Sequence, residues 1–334
     1  MHIVVTGAAG FIGSHTCEAL VAAGHRVTGV DVFDSYLYPA AVKRRNAAAA
    51  LAPLPRESFQ LVEVDICDEA AMDALLAGQD VDVVCHLAAL AGVRPSIAEP
   101  LRYVRANLTG TTVILEAMRR GSCRRIVFAS SSSVYGARGG ADLAQVAAFR
   151  EDDPCLSPAS PYAATKRAGE LLLSTYRDLH GIGASCLRFF TVYGPRQRPD
   201  MAIHKFVRAI AAGWPIDFYG DGESRRDYSY VADVVRGVVA ACERARPGAH
   251  AIYNLGGTAT TSLARLVAII EEVVGRSALL DRQPDQPGDV PITFADITGA
   301  ARDLDYAPAT RIEDGVREFW RWVQEEERVG RPIA

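Results

Sequence analysis

The chain has 334 residues, is 49% hydrophobic and carries 36 Lys and Arg against 40 Asp and Glu, a formal net charge of -4. This length and apolar fraction suit one large domain or two smaller ones, and the near-balanced charge gives no reason to expect nucleic acid or an anionic membrane as a partner. No apolar run reaches the length of about 18 residues that suggests a membrane span, so none is expected.

Ile3 to Val5 is a β-branched run that reads as a buried strand. It begins almost at the first residue, leaving no room for a signal peptide, and a cytoplasmic location is expected. Gly7-Ala8-Ala9-Gly10-Phe11-Ile12-Gly13 follows, then helical spacing over 14–23 and a second strand over 27–30 that stops at Asp31. This is a β-α-β unit with glycines at its first turn. Gly7 permits the tight turn, and Gly10 keeps side chains away from a pyrophosphate. Gly13 allows close helix–strand packing, and the helix N-terminus offers free N–H groups to the anion. Asp31 can accept from both hydroxyls of an adenosine ribose and would repel a 2′-phosphate, which favours NAD over NADP. Phe11 and Ile12 belong to the same cofactor loop.

Residues 34–55 are looser, with a short surface helix around Lys43, Arg44 and Arg45, read as a solvated basic face. A third strand over 59–64 leads to Asp65-Ile66. There an Asp can accept from the adenine amino group or serve as a helix N-cap. The strand over 81–87 ends in Leu87-Ala88-Ala89, whose small residues let a cofactor lie against the backbone. Asn107, mid-helix between apolar positions, is expected to pin a neighbouring loop at the cofactor site.

A fifth strand over 125–129 carries Ser130-Ser131-Ser132-Ser133-Val134-Tyr135-Gly136 at its C-terminal end, the edge where open α/β sheets bind ligands. The stretch 137–158 reads as an insertion loop. Ser160-Pro161 then opens a helix to about His180 in which Tyr162 and Lys166, four apart, share a face. A free tyrosine titrates near pH ~10. A lysine ammonium and a positive nicotinamide both favour phenolate, so Tyr162 is expected to act as acid and base.

Strand six spans 185–190. The proline-rich loop after it carries Arg196 and Arg198, which suit a carboxylate or phosphate. Helix–strand alternation then becomes less regular. The predicted architecture is α/β: a Rossmann-type, doubly wound parallel sheet over 1–191, with a smaller mixed α/β substrate-binding lobe over 192–334. A strand near 253–255 is expected to return to the sheet, and helices are expected over 231–239, 261–274 and 310–329. The seven scattered cysteines form no CxxC, so buried thiols are expected rather than a disulfide or metal scaffold.

Taken together, GAAGFIGSH, Asp31, HLAALAGVRPS, FASSSSVYG, SPYAATK, RFFTVYGPRQRPDM, YGDGESRRDYSYVADVV and QPGDV resemble the extended short-chain dehydrogenase/reductases of the NAD-dependent epimerase/dehydratase family, over nearly the whole chain. Thr191 in place of an asparagine, RPDM, and QPGD without a preceding arginine are more narrowly similar to UDP-glucuronate 4-epimerases. The resemblance implies that Tyr162 and Lys166 are catalytic, with Ser131 assisting the sugar O4. Ser132, Ser133, Thr191 and Arg198 would surround the C6 carboxylate. Arg226 would bind the diphosphate, and Phe206, Tyr219 and Asp289 would surround the uridine. It also implies a homodimer built from helices near 101–120 and 162–180, with Leu115, Met118, Leu172 and Leu179 as interface or core. The implied reaction is NAD-dependent 4-epimerisation of a UDP-sugar through a 4-keto intermediate. Alternatives kept open are a UDP-glucose/UDP-galactose 4-epimerase, a UDP-glucuronate decarboxylase, a 4,6-dehydratase, and an NAD-binding protein without catalysis.

Overall fold

The structure, a computed structural model, describes residues 1–77, 80–136, 147–284 and 290–330. Six strands alternate with helices through the first half of the chain. They are β1 (His2–Thr6), β2 (Arg26–Asp31), β3 (Phe59–Glu63), β4 (Val83–His86), β5 (Arg125–Ser131) and β6 (Gly183–Phe189). The helices between them are α1 (Phe11–Ala22), α2 (Ala40–Ala50), α3 (Glu69–Ala77), α4 (Val93–Ala98), α5 (Pro100–Tyr103), α6 (Gly110–Arg120) and α7 (Pro161–His180). The second half adds β7 (Thr191–Tyr193), α8 (Ala202–Ala212), β8 (Pro215–Tyr219), β9 (Arg225–Arg226), β10 (Tyr228–Tyr230), α9 (Val231–Arg244) and β11 (His250–Leu255). It closes with β12 (Thr261–Ser262), α10 (Leu263–Val274), β13 (Leu279–Gln283), α11 (Thr298–Leu304) and α12 (Ile312–Arg328).

The central sheet has seven strands in the order β3-β2-β1-β4-β5-β6-β11, and every pairing is parallel. The order reverses between β1 and β4, so a crevice opens there at the C-terminal strand ends. Alternation along β1 sends Ile3 and Val5 to one face, against α1 and α9, and Val4 to the other, against α3, α6 and α7. Both faces are covered, which is why these strands read as near-continuous apolar runs. A third core, with Phe206, Ile210, Phe218, Leu266, Ile270 and Phe319, holds α8, α10, α12 and β8 together.

The return of the chain to the sheet begins before β11. Helix α9 packs its Val234, Val238 and Cys242 into the core beside α1, and β11 then pairs with β6 from His250 to Leu255. The helix expected near 101–120 is interrupted by a π-turn over Val104–Thr109. Such turns insert a residue and re-aim the side chains around it. The expected insertion loop is only partly a loop of that kind. Residues 137–146 lie outside the described set, but Phe149 stacks on Tyr135 at 4.6 Å and is buried. Among the described residues no helix is long and apolar enough to cross a membrane.

Candidate active site

The crevice at the strand-order reversal is a cleft of about 510 Å³. Its floor is the glycine turn. Gly7 sits at φ +73°, and a Cβ there would lie 2.8 Å from the Ala88 nitrogen. A Cβ on Gly13 would meet the Gly7 carbonyl oxygen at 2.0 Å. Gly7 and Gly13 are therefore closed to any side chain, and α1 begins directly from the turn with no side-chain cap on its N-terminus. Those N–H groups are left for an anion.

Asp31 ends β2 at the cleft wall, where Oδ2 accepts from Ala9 N at 3.0 Å and Oδ1 from Phe33 N at 2.8 Å. Burial pushes its carboxyl up, while those two N–H groups and the Lys43 ammonium favour the anion. Lys43 is not on a solvated face as its sequence context suggests. It lines the cleft and donates to the Asp34 carbonyl at 2.8 Å. Arg44 pairs with Glu63 at 2.8 Å and covers the Phe33 ring, and Arg45 reaches Glu326 on α12.

Gly10, Phe11, Ile12, Asp65, Ile66, Leu87, Ala88 and Ala89 all line the cleft. Asp65 spends its carboxylate on Cys67 N at 2.9 Å and Arg105 at 3.1 Å. The helix-capping role belongs to Asp68, which accepts from Ala71 N at 3.0 Å. Asn107 does not line the cleft. It is buried behind it, accepting from Leu90 N at 2.8 Å and donating to Leu90 O and Thr165 Oγ1. It thus ties the loop after β4 to α7. Further back, Thr6, His86 and Thr111 form a buried hydroxyl–imidazole–hydroxyl chain with contacts of 2.7 and 3.0 Å. Burial lowers His86 to about 3, so its neutral ring braces the floor. Isolated Thr and His in apolar strands gave no signal of this.

Helix α7 starts where the sequence puts its start. Ser160 Oγ accepts from Ala163 N at 3.2 Å, Pro161 takes the first turn, and Gly181 closes the helix at φ +67°. The helix delivers Tyr162 and Lys166 to the cleft beside Ser131, Ser132 and Ser133. Ser131 caps the short turn Ser132–Tyr135, accepting from Ser133 N and donating to Ser133 Oγ, each at 3.2 Å. Lys166 is buried and donates to the Ala129 carbonyl at 2.7 Å, above the Phe128 ring. Burial lowers it to about 7. Burial also pushes the Tyr162 phenol up, opposed by the Ser131 hydroxyl and the Arg198 guanidinium. Ser131 and Arg198 are thus two groups at the site that favour phenolate.

A buried cluster holds α7 against the sheet. Glu170 accepts from Arg188 at 2.8 and 2.9 Å and from Ser130 Oγ at 2.6 Å. Burial alone would raise this carboxyl, but Arg188 overrides it and the group lies below its ordinary value.

Thr191 and Arg198 complete the cleft wall. Their loop is fixed to α1: the His15 Nε2–H donates to Pro195 O at 2.9 Å, and Arg196 donates to His15 Nδ1 at 2.6 Å and to Glu18. Arg196 adopts φ +65°, unusual for a side-chain-bearing residue, and these bonds hold it there. Phe206, by contrast, lies in the lobe core. Tyr219 lies under the Arg94 guanidinium at 5.1 Å, and Arg226 donates to Arg225 O and Pro291 O. None of these three lines the cleft; Tyr219 and Arg226 sit on lobe strands. Asp289, with the rest of 285–289, lies outside the described residues.

Residues 3–256 match the model of the NAD dependent epimerase/dehydratase family. The chain belongs to that family. The fit to the family's cofactor rests on the cradle itself, two glycine positions, Gly7 and Gly13, that exclude a Cβ and an acid at the end of β2. Among the epimerase/dehydratase relatives, a UDP-glucuronate 4-epimerase of Thermodesulfobacterium geofontis is 37% identical, with 97% of this chain and 96% of the relative covered. The crystal structure of the UDP-glucuronic acid 4-epimerase of Bacillus cereus, in complex with UDP-glucuronic acid and NAD, is 37% identical with a TM-score of 0.89, covering 97% and 99% of the two chains. A UDP-glucose 4-epimerase of Thermotoga maritima with UDP-glucose is 29% identical with a TM-score of 0.85, covering 98% and 100%.

Proposed function

We propose that this protein is an NAD-dependent 4-epimerase of UDP-sugars, interconverting UDP-glucuronate and UDP-galacturonate. The observation that carries the choice of sugar is Arg198, a cleft-lining guanidinium set among Ser131, Ser132, Ser133, Thr191 and Tyr162. An arginine and a run of hydroxyls suit a C6 carboxylate.

Gly7, Gly10, Gly13 and the α1 N-terminus would hold the cofactor's pyrophosphate, and Asp31 its ribose. NAD, when bound, supplies the acceptor and then the donor of one hydride at C4. Tyr162 removes the proton from O4 and later returns it. Ser131 hydrogen-bonds the same oxygen and steadies its charge. Lys166 fixes the helix face that presents Tyr162. Between the two hydride transfers the flat 4-keto sugar must turn over while its nucleotide stays gripped. We assign that grip to the lobe built on α8, α10 and α12, with Arg226 and Tyr219 as its polar contacts to the nucleotide. Residues 1–191 with the returning α9, β11 and α11 form the cofactor domain, since Ala300 and Leu304 pack into the same core as α1 and α9, and the lobe is built on α8, β8, α10 and α12. The hydroxyls and Arg198 must also hold the carboxylate so that its C5–C6 bond stays out of line with the ketone.

The protein is further proposed to be a cytoplasmic homodimer. Leu101 is 82% exposed, Leu171 53% and Leu179 69%. Leu171 and Leu179, eight apart, share one stripe of α7. Leu115 and Met118 are fully buried core residues instead.

A neutral UDP-hexose epimerase is the second reading, favoured by the 29% identity over 98% of this chain to a UDP-glucose 4-epimerase. Product analysis by NMR with UDP-glucuronate and with UDP-glucose separates the two. UDP-galacturonate from the first, with no net NADH, supports the proposal; UDP-xylose, a 4-keto pentose, or turnover of UDP-glucose alone overturns it.

A further inference from the structure

Arg198 does not stand alone in the cleft wall. Its Nε donates to Asp200 Oδ1 at 3.0 Å and its Nη2 to Asp200 Oδ2 at 2.7 Å. A guanidinium has two forked edges, and Asp200 occupies the one made by Nε and Nη2. Among the described residues nothing accepts from Nη1, so the remaining edge stays available in the cleft.

The chain builds this pairing locally. Arg198-Pro199-Asp200-Met201 is a turn closed by Met201 N to Arg198 O at 3.2 Å, with proline at its second position. Proline there presets the turn and folds the Asp200 carboxylate back onto the Arg198 fork. The preceding turn is anchored on α1 through His15, Glu18 and Arg196. Arg198 is thus held from both sides. An exposed ion pair of this kind would carry little. Here the arginine side chain is only 15% exposed, and Tyr38, Lys43 and Tyr162 all lie close enough to feel its charge.

From this we infer that Asp200 is a positioning and specificity-determining residue. It locks one edge of Arg198 so that the other edge faces the sugar's C6 group, and its charge offsets that of the guanidinium. A C6 carboxylate is then selected by two aimed N–H donors instead of by net positive charge. A hydroxymethyl group offers these donors one neutral oxygen where the carboxylate offers two charged ones. The inference rests on the uronate reading above and gives that reading a second residue.

The test compares binding of UDP-glucuronate and UDP-glucose by calorimetry, using NAD-loaded protein in a Tyr162→Phe background so that turnover is slowed at least about a hundredfold. Asp200→Asn keeps the shape and releases the arginine from one bond and its counter-charge. The expected outcome is a loss of about tenfold in affinity for UDP-glucuronate, the worth of one charge-assisted hydrogen bond. Binding of UDP-glucose should stay within about twofold, which also shows that the variant is folded. Asp200→Glu should recover part of the loss. Unchanged or tighter UDP-glucuronate binding in Asp200→Asn overturns the inference, because net charge rather than aim would then dominate. Arg198→Gln separates the two levels: if it also leaves the preference for UDP-glucuronate intact, the uronate reading itself fails. If Arg198→Gln abolishes the preference and Asp200→Asn does not alter it, only the role of Asp200 fails.

Discussion

The Glu170–Arg188 pair offers a demanding test of how the fold sets up the site. Both side chains are essentially without exposure, at 0% and 1%. Glu170 sits on the helix that carries Tyr162 and Lys166, and Arg188 on β6. Ser130, next to Ser131, donates to the same carboxylate. Replacing Glu170 by Gln keeps the volume but leaves a buried guanidinium without its counter-charge. Breaking one side of a buried pair costs about 3–5 kcal/mol. At roughly 2.1 cal/mol/K per residue, a chain of 334 residues unfolds with an entropy of about 0.7 kcal/mol/K, so Tm should fall by about 4–7 °C. The double variant Glu170→Leu with Arg188→Met removes both charges and keeps an apolar volume. It should lose less than the single variant, because no bare charge remains; Arg167, the other partner of Glu170, is 28% exposed and can reach water. Calorimetry or thermal circular dichroism of wild type and both variants reads this directly. A single variant within about 1 °C of wild type, or a double variant that falls as far as the single, refutes the reasoning.

Tyr162→Phe should retain bound NAD but lose about 10²–10⁴ in kcat, the usual worth of one acid–base group, as followed by NMR of the sugar products; near wild-type turnover would remove Tyr162 from the chemistry. In Gly13→Ala the new Cβ would lie 2.0 Å from the Gly7 carbonyl, so α1 must retreat by roughly 1 Å or more, at a cost of about 1–3 kcal/mol. Its NAD content on isolation, measured after denaturation, should drop at least about tenfold, and full occupancy would contradict the assigned cradle. Asp227 is buried, and burial pushes its carboxyl up to about 6, against the Gly257 and Ala295 N–H groups and the Ser229 hydroxyl. A carboxyl raised in the folded state stabilises below its unfolded value near ~4 and loses that contribution as pH climbs through the folded value. The stability of wild type relative to Asp227→Asn should therefore fall by up to about 3 kcal/mol between pH ~4 and ~7 in urea melts. A flat or rising difference would show that the carboxylate is better accommodated than its burial implies.

What the sequence determines by itself is the local part of this protein. The β-α-β unit around Gly7, Gly10 and Gly13 is legible because turn, helix start and strand end lie within thirty residues and each has its own residue signature. Ser160-Pro161, Tyr162 and Lys166 are legible for the same reason, since capping and the spacing of four on a helix depend only on neighbours. The tertiary structure decides the rest. Arg198 comes to face Tyr162 only because β6 and β5 pair and the loop after β7 is pinned to His15 and Glu18. Lys43 enters the cleft, where its sequence context suggested solvent, because α2 packs its Ala47 and Ala50 into the core beside α1. Asn107 turns away from the cleft because the π-turn re-aims it toward Leu90 and Thr165. In each case the placement depends on packing between elements, and a charge or amide takes its meaning from what desolvates and pairs it, which no local pattern encodes.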